Sequence, residues 1–170
     1  MPPLYDPEAV RPMWQELAQA GIKPLTTPEE VDAAIAKEGT TLVVLNSVCG
    51  CAAGNCRPGV MLALQNEIIP DQNVTVFAGM DTEAVQRMRE YMGDIPPSSP
   101  NVVLFKDGKP VHTLERRHIE RMTAVDIANT LRELFARECS AQGPSVSREE
   151  FEKLNPVNVC GSSIPLYPGN

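Results

Sequence analysis

The sequence predicts a three-layer α/β/α fold built around a central mixed β-sheet. Two βα units are followed by a β-hairpin and a terminal helix, so the predicted order of elements is α-α-β-α-β-α-β-β-α. The first strand, residues 41–46 (TLVVLN), is an apolar and mostly β-branched run, which is typical of a strand buried on both faces. Helices that cover both faces of the sheet account for such a strand.

Two helices are predicted before this strand. The first carries apolar residues at helical spacing and ends at Gly21. Pro12 either starts this helix or kinks it, because proline cannot donate a backbone hydrogen bond. The second helix begins with Thr27 as its cap and Pro28 in its first position, and Glu30 completes a capping box.

The central part of the chain repeats a helix, a strand and a helix. A helix is predicted over residues 55–69, with Pro70 as its stop, because apolar residues recur on one side. The next strand covers residues 73–78 (NVTVFA). Asp81 or Thr82 is expected to cap the helix that follows, since both side chains accept hydrogen bonds from a helix N-terminus.

A hairpin and a capped helix close the predicted domain. Strands at residues 102–106 and 111–114 flank an Asp-Gly pair at 107–108, which is a strong hairpin turn signal. The last helix has Thr123 as its cap and Asp126 three residues later. We therefore expect the sheet to end in an antiparallel pair with a helix returning across it.

The length of 170 residues suits one domain with an appendage. Residues 1–140 are predicted to form the domain. Residues 141–170, where Gly, Pro and Ser become dense, are predicted to form a C-terminal extension that carries Cys160, with one short helix at residues 147–150. We interpret this extension as a wrap or an arm rather than a second domain.

Composition and charge exclude several classes of function. A net charge of −7 and a pI near 4.9 argue against nucleic acid as a partner. The short basic run at residues 116–118 does not offset this acidity, and it is interpreted as a solvated strand end, with a role near the site as the alternative. Residues 1–10 have no targeting pattern, and no apolar stretch is long enough to span a bilayer. We therefore expect a cytoplasmic protein without a membrane partner.

Five cysteines, at positions 49, 51, 56, 139 and 160, are the main chemical signal in the chain. Three of them lie within eight residues, directly after the first strand. In a reducing compartment, clustered cysteines are more often catalytic or metal-binding than part of structural disulfides. The tripeptide Cys49-Gly50-Cys51 is therefore the predicted redox centre.

The position of this tripeptide suits thiol–disulfide exchange. Exchange needs a thiolate, and the start of a helix lowers a thiol pKa through its unpaired N–H groups and its dipole. Cys49 is placed to act as the nucleophile there, and Cys51 is placed to attack a mixed disulfide formed at Cys49. A bridge between residues two apart closes a small, strained ring, although Gly50 relaxes the backbone limits. A strained bridge is easily reduced, so we expect a reductase rather than a strong oxidant.

Pro100 supplies a second signal. It is followed by the apolar residues 101–106 and a glycine turn, which resembles the segment after the cis-proline of thioredoxin-like proteins. A cis-proline is usually a deliberate feature of a tight turn. Pro100 is therefore expected to lie opposite the two cysteines and to shape the binding groove.

The residues alone leave two other interpretations open for the cysteine cluster. Cys49 and Cys51 are inert buried thiols in one of them. In the other, Cys49, Cys51 and Cys56 bind a metal with Cys139 or Cys160 as fourth ligand, although zinc sites favour C-x₂₋₄-C spacing. Cys56 is interpreted as a small core residue or an additional thiol, and Cys139 as a passive one.

Residues 46–54 (NSVCGCAAG) resemble the bacilliredoxin family, which consists of thioredoxin-like proteins with a Cys-Gly-Cys centre. The resemblance covers roughly residues 5–139 and is also carried by Arg57-Pro58, Arg117-His118 and residues 74–79, 88–91 and 97–100. It implies a thioredoxin-like fold, with Cys49 as the nucleophile that attacks bacillithiol–protein mixed disulfides. Cys51 would then resolve the Cys49–bacillithiol adduct.

The resemblance also implies the partners, which are S-thiolated client proteins and bacillithiol or a related low-molecular-weight thiol. That thiol is a substrate, and no cofactor or metal is expected. Disulfide isomerase or reductase activity is associated with such proteins as well, and a metal-binding or redox-sensing module remains an alternative. Two features depart from the family pattern, namely Cys56 in place of a small apolar residue and the tail, whose Cys160 is a candidate additional resolving thiol.

Overall fold

The computed structural model describes residues 2–154, 166–167 and 169. Its helices are α1 Pro7–Gln19, α2 Pro28–Ile35, α3 Arg57–Ala63, α4 Thr82–Met92, α5 Arg116–Ile119, α6 Ala124–Glu138 and α7 Arg148–Glu152. Its strands are β1 Lys23–Pro24, β2 Thr40–Asn46, β3 Ile68–Ile69, β4 Gln72–Phe77, β5 Asn101–Lys106, β6 Lys109–Leu114 and β7 Ala141–Gln142. A π-helical turn, Ala52–Cys56, leads into α3.

Five strands form the central sheet in the order β1-β4-β2-β5-β6. Strand β2 lies at its centre, parallel to β4 and antiparallel to β5. Strands β1 and β4 are parallel, whereas β5 and β6 form the antiparallel hairpin. The mixed sheet and the three-layer α/β/α arrangement are therefore confirmed, and the fold is thioredoxin-like.

The two faces of the sheet support two separate core clusters, because successive side chains of a strand point to opposite faces. Leu42 and Val44 of β2 pack in one cluster with residues of α1, α3 and α6. Val43 and Leu45 pack in the other with residues of α2 and α4. All seven residues of β2 are buried, as predicted for a strand covered on both sides.

The predicted helix starts are largely confirmed. The side chain of Thr27 accepts a hydrogen bond from the Glu30 N–H, and Thr123 and Asp126 form a reciprocal capping box. Asp81 occupies the position before α4, but its side chain makes no capping bond. Pro12 lies inside α1 and does not start it, since Pro7 holds the first position.

Two predictions about elements are wrong. The helix expected over residues 55–69 ends as α3 at Ala63, and Ile68–Ile69 is instead a strand paired with β7. The partner strand comes from the extension, so no local sequence pattern predicts this pairing. The basic run expected as a strand end forms the short helix α5, because Glu115 and the His118 side chain exchange hydrogen bonds with each other's backbone N–H groups. The short strand β1 was not among the predicted elements.

The described part of the extension lies against the domain. Besides the β3–β7 pairing, the backbone N–H of Ser145 donates to the Leu64 carbonyl at 2.9 Å, and the Ser145 hydroxyl donates to the Ala20 carbonyl at 2.7 Å. Ser147 caps the predicted short helix, which is α7. Cys160 lies outside the described residues, and the domain boundary at residue 140 stays a prediction.

Candidate redox site

A network of hydrogen bonds shapes the turn that leaves β2. The Asn46 side chain donates to the Met13 carbonyl at 3.1 Å and accepts from the Ser47 N–H at 2.9 Å. The Cys49 N–H donates to the Ser47 hydroxyl oxygen at 3.3 Å. The Cys49 carbonyl then accepts from the N–H of Ala52, which begins the helical run. Cys49 therefore lies at the strand-to-helix turn, as predicted.

The two thiols of the motif touch each other and remain partly exposed. Their sulfur atoms are 2.8 Å apart, and both cysteines are free. Burial by itself would raise the pKa of Cys49. Hydrogen bonds from the Cys51 thiol, the Ala52 N–H and the Ser47 hydroxyl, together with the charge of Arg116, outweigh burial and lower that pKa. Cys49 is thus the thiol that ionises first.

Cys51 has the opposite electrostatics. Burial, the hydrogen bond to Cys49 and the Cys49 charge raise the pKa of the Cys51 thiol to about 11. At neutral pH it is a protonated donor to the Cys49 thiolate. The inert-thiol alternative does not fit this pair, because both cysteines are partly exposed and the pKa values of their thiols are shifted in opposite directions.

These shifts predict selective alkylation of Cys49 by iodoacetamide, read out by peptide mass spectrometry. Because only a thiolate reacts, the Cys49 rate should rise with pH and reach half its maximum at a lower pH than an unperturbed cysteine peptide. Cys51 should follow only near pH 11. In Cys49→Ser the Cys51 profile should shift to lower pH, since the charge that raises its pKa is gone. Equal profiles for the two wild-type thiols would contradict this assignment.

A buried arginine stabilises the turn through hydrogen bonds. Arg57 is 0% exposed and its Nε donates to Glu16 Oε1 of α1 at 2.6 Å. Its Nη1 donates to the Asn46 side-chain oxygen at 3.1 Å and to the Ser47 carbonyl at 2.9 Å. This residue therefore links α1, the end of β2 and the start of α3 directly behind Cys49.

Arg57 and Glu16 are not among the predicted site residues, although a signal for them was present. Glu16 lies between the apolar positions Met13 and Leu17 on the buried face of α1. A carboxylate on such a face requires a buried partner. The sequence alone does not identify Arg57 as that partner.

A second arginine reaches the site from helix α5. The Nη1 atom of Arg116 donates to the Ser99 carbonyl at 3.5 Å, and its Nε donates to Glu120 Oε1 at 2.8 Å. The Asn55 side chain, in the π-helical turn, donates to the Ile119 carbonyl at 3.1 Å and so ties α5 to the segment that follows the cysteines. The role near the site that was the alternative for this basic run is therefore the better interpretation of Arg116.

Pro100 lies at the same end of the sheet as the cysteines. Leu45 pairs with Asn101 in the antiparallel β2–β5 ladder, so Pro100 is alongside Asn46, three residues before Cys49. The Ser99–Pro100 peptide bond is cis, as the resemblance to thioredoxin-like proteins implies. Its role in shaping the groove stays a prediction.

The remaining cysteines differ in their surroundings. Cys56 is fully buried, and this burial raises the pKa of its thiol to about 12, so it is not a nucleophile at neutral pH. The Cys139 thiol is half-buried at the end of α6, and burial raises its pKa as well. Within residues 2–154, 166–167 and 169, no group of three or more His, Cys, Asp or Glu side chains is arranged to hold a metal ion. Over the same residues, every helix is too short or too polar to cross a membrane.

Comparison with known proteins identifies relatives along most of the chain. Residues 5–139 match the family model described as Disulphide isomerase. A Bacilliredoxin of Salinibacter ruber is 51% identical over 143 residues, which are 82% of this chain and 84% of the relative. One of Cytophaga hutchinsonii is also 51% identical, over 78% of this chain and 98% of the relative. A Staphylococcus aureus Bacilliredoxin is 46% identical over 80% of this chain and 94% of the relative.

Solved structures of thioredoxins also superimpose on the chain, at low identity. The mitochondrial thioredoxin 3 of Saccharomyces cerevisiae, in its oxidised form, gives a TM-score of 0.48 at 17% identity and covers 71% of this chain and 98% of its own. A thioredoxin variant of Entamoeba histolytica gives 0.47 at 16% identity, over 68% of this chain and 98% of its own.

Proposed function

Since the chain belongs to the bacilliredoxin family and is a thiol–disulfide oxidoreductase, we propose that it removes bacillithiol, or a related low-molecular-weight thiol, from S-thiolated proteins. The observation that carries this proposal is the pair of touching thiols with pKa values shifted in opposite directions. One thiol is ready to attack, and its neighbour is held protonated until the adduct has formed. The proposed setting is the cytosol, where reducing thiol pools keep such cysteines available.

In the first step, the Cys49 thiolate attacks the sulfur of the small thiol in its mixed disulfide with the client protein. A bond forms between that sulfur and Cys49 Sγ, and the bond to the client breaks. The client cysteine leaves as a thiolate and takes up a proton from solvent. Attack by the lower-pKa thiol is favoured at neutral pH because more of it is ionised.

In the second step, Cys51 resolves the adduct on Cys49. Its sulfur attacks Cys49 Sγ, the small thiol leaves, and the proton of Cys51 passes to that leaving sulfur. Once Cys49 has become part of a mixed disulfide, burial still raises the Cys51 pKa, but the hydrogen bond and the charge of Cys49 no longer do, so Cys51 ionises more easily. The resulting Cys49–Cys51 disulfide returns to the dithiol form when a reducing thiol or dithiol supplies two electrons and two protons.

Trapping of the adduct tests this proposal. A client protein carrying bacillithiol as a mixed disulfide is incubated with Cys51→Ala and with Cys49→Ala, and intact masses are measured. The small thiol should accumulate on Cys51→Ala alone, because that variant can attack but cannot resolve. Cys139→Ala is the matched control and should turn over without trapping, since it leaves both site thiols in place. Equal trapping on the Cys49→Ala and Cys51→Ala variants, or on neither, would sink the proposal.

Disulfide isomerisation is the second candidate, and the description of the matching family model favours it. Isomerisation needs attack on a protein disulfide and later release of the attacking thiol, with no net oxidation or reduction. Cys49 alone supplies both events. Cys51→Ala should therefore still reactivate a protein with scrambled disulfides if isomerisation is the main activity, whereas removal of the small thiol requires Cys51 for turnover.

A further inference from the structure

Arg116 is a half-exposed cation beside the cis-proline loop. Its side chain is 48% exposed, and it lies between the cis-proline loop and Glu120. The Arg116 backbone N–H donates to the Ser98 hydroxyl oxygen at 3.4 Å, and the side-chain Nη1 reaches the Ser99 carbonyl at 3.5 Å. The Nη1 contact is long, so the loop does not saturate the guanidinium.

The same guanidinium lies at the end of the sheet that carries the thiols, since its Nη1 contacts the carbonyl of Ser99, directly before cis-Pro100. Helix α5 is joined to the π-helical turn through the hydrogen bond from Asn55 to the Ile119 carbonyl, and that turn begins directly after Cys51. The Arg116 charge acts on both site cysteines, lowering the pKa of Cys49 and opposing the rise of the Cys51 pKa. A substrate bound at Cys49 therefore lies within reach of the Arg116 charge.

The present partner of Arg116 is easily exchanged. Glu120 is 49% exposed, and an ion pair so open to solvent contributes little to stability. The planar guanidinium matches a carboxylate with two parallel hydrogen bonds, and a second carboxylate can replace that of Glu120 at small cost. Arg57 cannot serve in this way, because it is fully buried and bonded to Glu16 and to the turn.

We propose that Arg116 is the carboxylate-binding residue of the site, which exchanges Glu120 for a carboxylate of the low-molecular-weight thiol in the mixed disulfide. This inference rests on the proposed function and adds the class of thiol that the site prefers. That class is a thiol bearing at least one carboxylate. Such a preference is a difference in the affinity of the site for two mixed disulfides of the same client, one with a charged and one with an uncharged small thiol.

The test uses one client protein prepared as two mixed disulfides, one with glutathione, which carries carboxylates, and one with 2-mercaptoethanol, which carries none. Release of the small thiol is followed with the wild type and with Arg116→Gln. Loss of the guanidinium should raise KM for the glutathione adduct about tenfold, the cost of one charge-assisted hydrogen bond. KM for the 2-mercaptoethanol adduct should stay unchanged.

The ratio of the two substrates separates binding from an effect on the thiolate. If Arg116 acts only by lowering the Cys49 pKa, Arg116→Gln slows both adducts by the same factor and the rates recover at higher pH, which would overturn the proposal. Arg117→Gln removes the same charge one residue away, where the side chain bonds to Glu115, and should leave the ratio unchanged. Glu120→Gln should lower KM for the glutathione adduct alone. Release of neither thiol by the wild type would instead overturn the proposed function, and this inference with it.

Discussion

Replacing Arg57 by methionine is expected to lower the free energy of unfolding by about 3–5 kcal/mol, the cost of breaking a buried ion pair from one side. Arg57 and Glu16 are both almost completely buried, so the substitution removes the cation that faces a buried carboxylate. The Asn46 and Ser47 oxygens lose a donor as well. Urea unfolding followed by circular dichroism measures the change.

Two companion variants make this result specific to the pair. The double variant Glu16→Leu with Arg57→Met should recover most of the lost stability, since apolar residues of similar size often replace a buried pair without loss. Arg148→Met breaks an exposed pair with Glu152 in α7 and should change stability by less than about 1 kcal/mol. If Arg57→Met lowers the free energy of unfolding by no more than Arg148→Met does, the fold does not depend on the buried arginine.

The buried arginine also links stability to chemistry. Arg57 donates to the Ser47 carbonyl, two residues before the nucleophile, and the Ser47 hydroxyl in turn binds Cys49. The double variant, even when stable, lacks the donor that orients the turn. Its Cys49 alkylation profile should therefore shift towards higher pH, although its stability against urea is restored. Such a shift would show that Arg57 acts on the site through Ser47, which an apolar side chain could not do.

The fold was predictable where local patterns and tertiary structure agree. The run TLVVLN, the capping boxes at Thr27 and Thr123 and the Asp-Gly turn each specify an element with the residues of a single segment. The prediction failed at Ile68–Ile69, where the apolar spacing suits a helix. There the backbone pairs instead with Ala141–Gln142, more than 70 residues away, and such a partner leaves no mark on the local pattern.

The residues of the candidate site also fall into a predictable and an unpredictable group. Cys49, Cys51 and Pro100 belong to short motifs, so their chemistry can be predicted from the neighbouring sequence. The contact from Arg57 to Glu16 spans 41 positions, so only the fold brings these two residues together. The position of Arg116 was predicted wrongly, because a run of three basic residues does not reveal the capping interactions at Glu115 that start helix α5.

Helix α3, which follows the cysteines, depends on a close approach to α6 at Gly59. A Cβ atom added to Gly59 would lie 2.7 Å from the Ile127 Cβ, 2.8 Å from its Cγ2 and 3.0 Å from the Ala124 carbonyl oxygen. These atoms belong to a backbone and a branched side chain that cannot swing aside. We therefore expect Gly59→Ala to lower the free energy of unfolding by about 1–3 kcal/mol through overpacking.

The direction of this effect opposes intrinsic helix propensity, which favours alanine over glycine by about 1 kcal/mol. Gly54 is the matched control, because it lies in the π-helical turn just before α3 and has no atom within 4 Å of an added Cβ. Gly54→Ala should therefore leave the urea midpoint unchanged or raise it slightly, whereas Gly59→Ala should lower it. If Gly59→Ala instead stabilised the protein, as helix propensity alone predicts, α3 and α6 would have room to separate. Close packing at Gly59 would then not determine the position of α3, the helix that follows the cysteines.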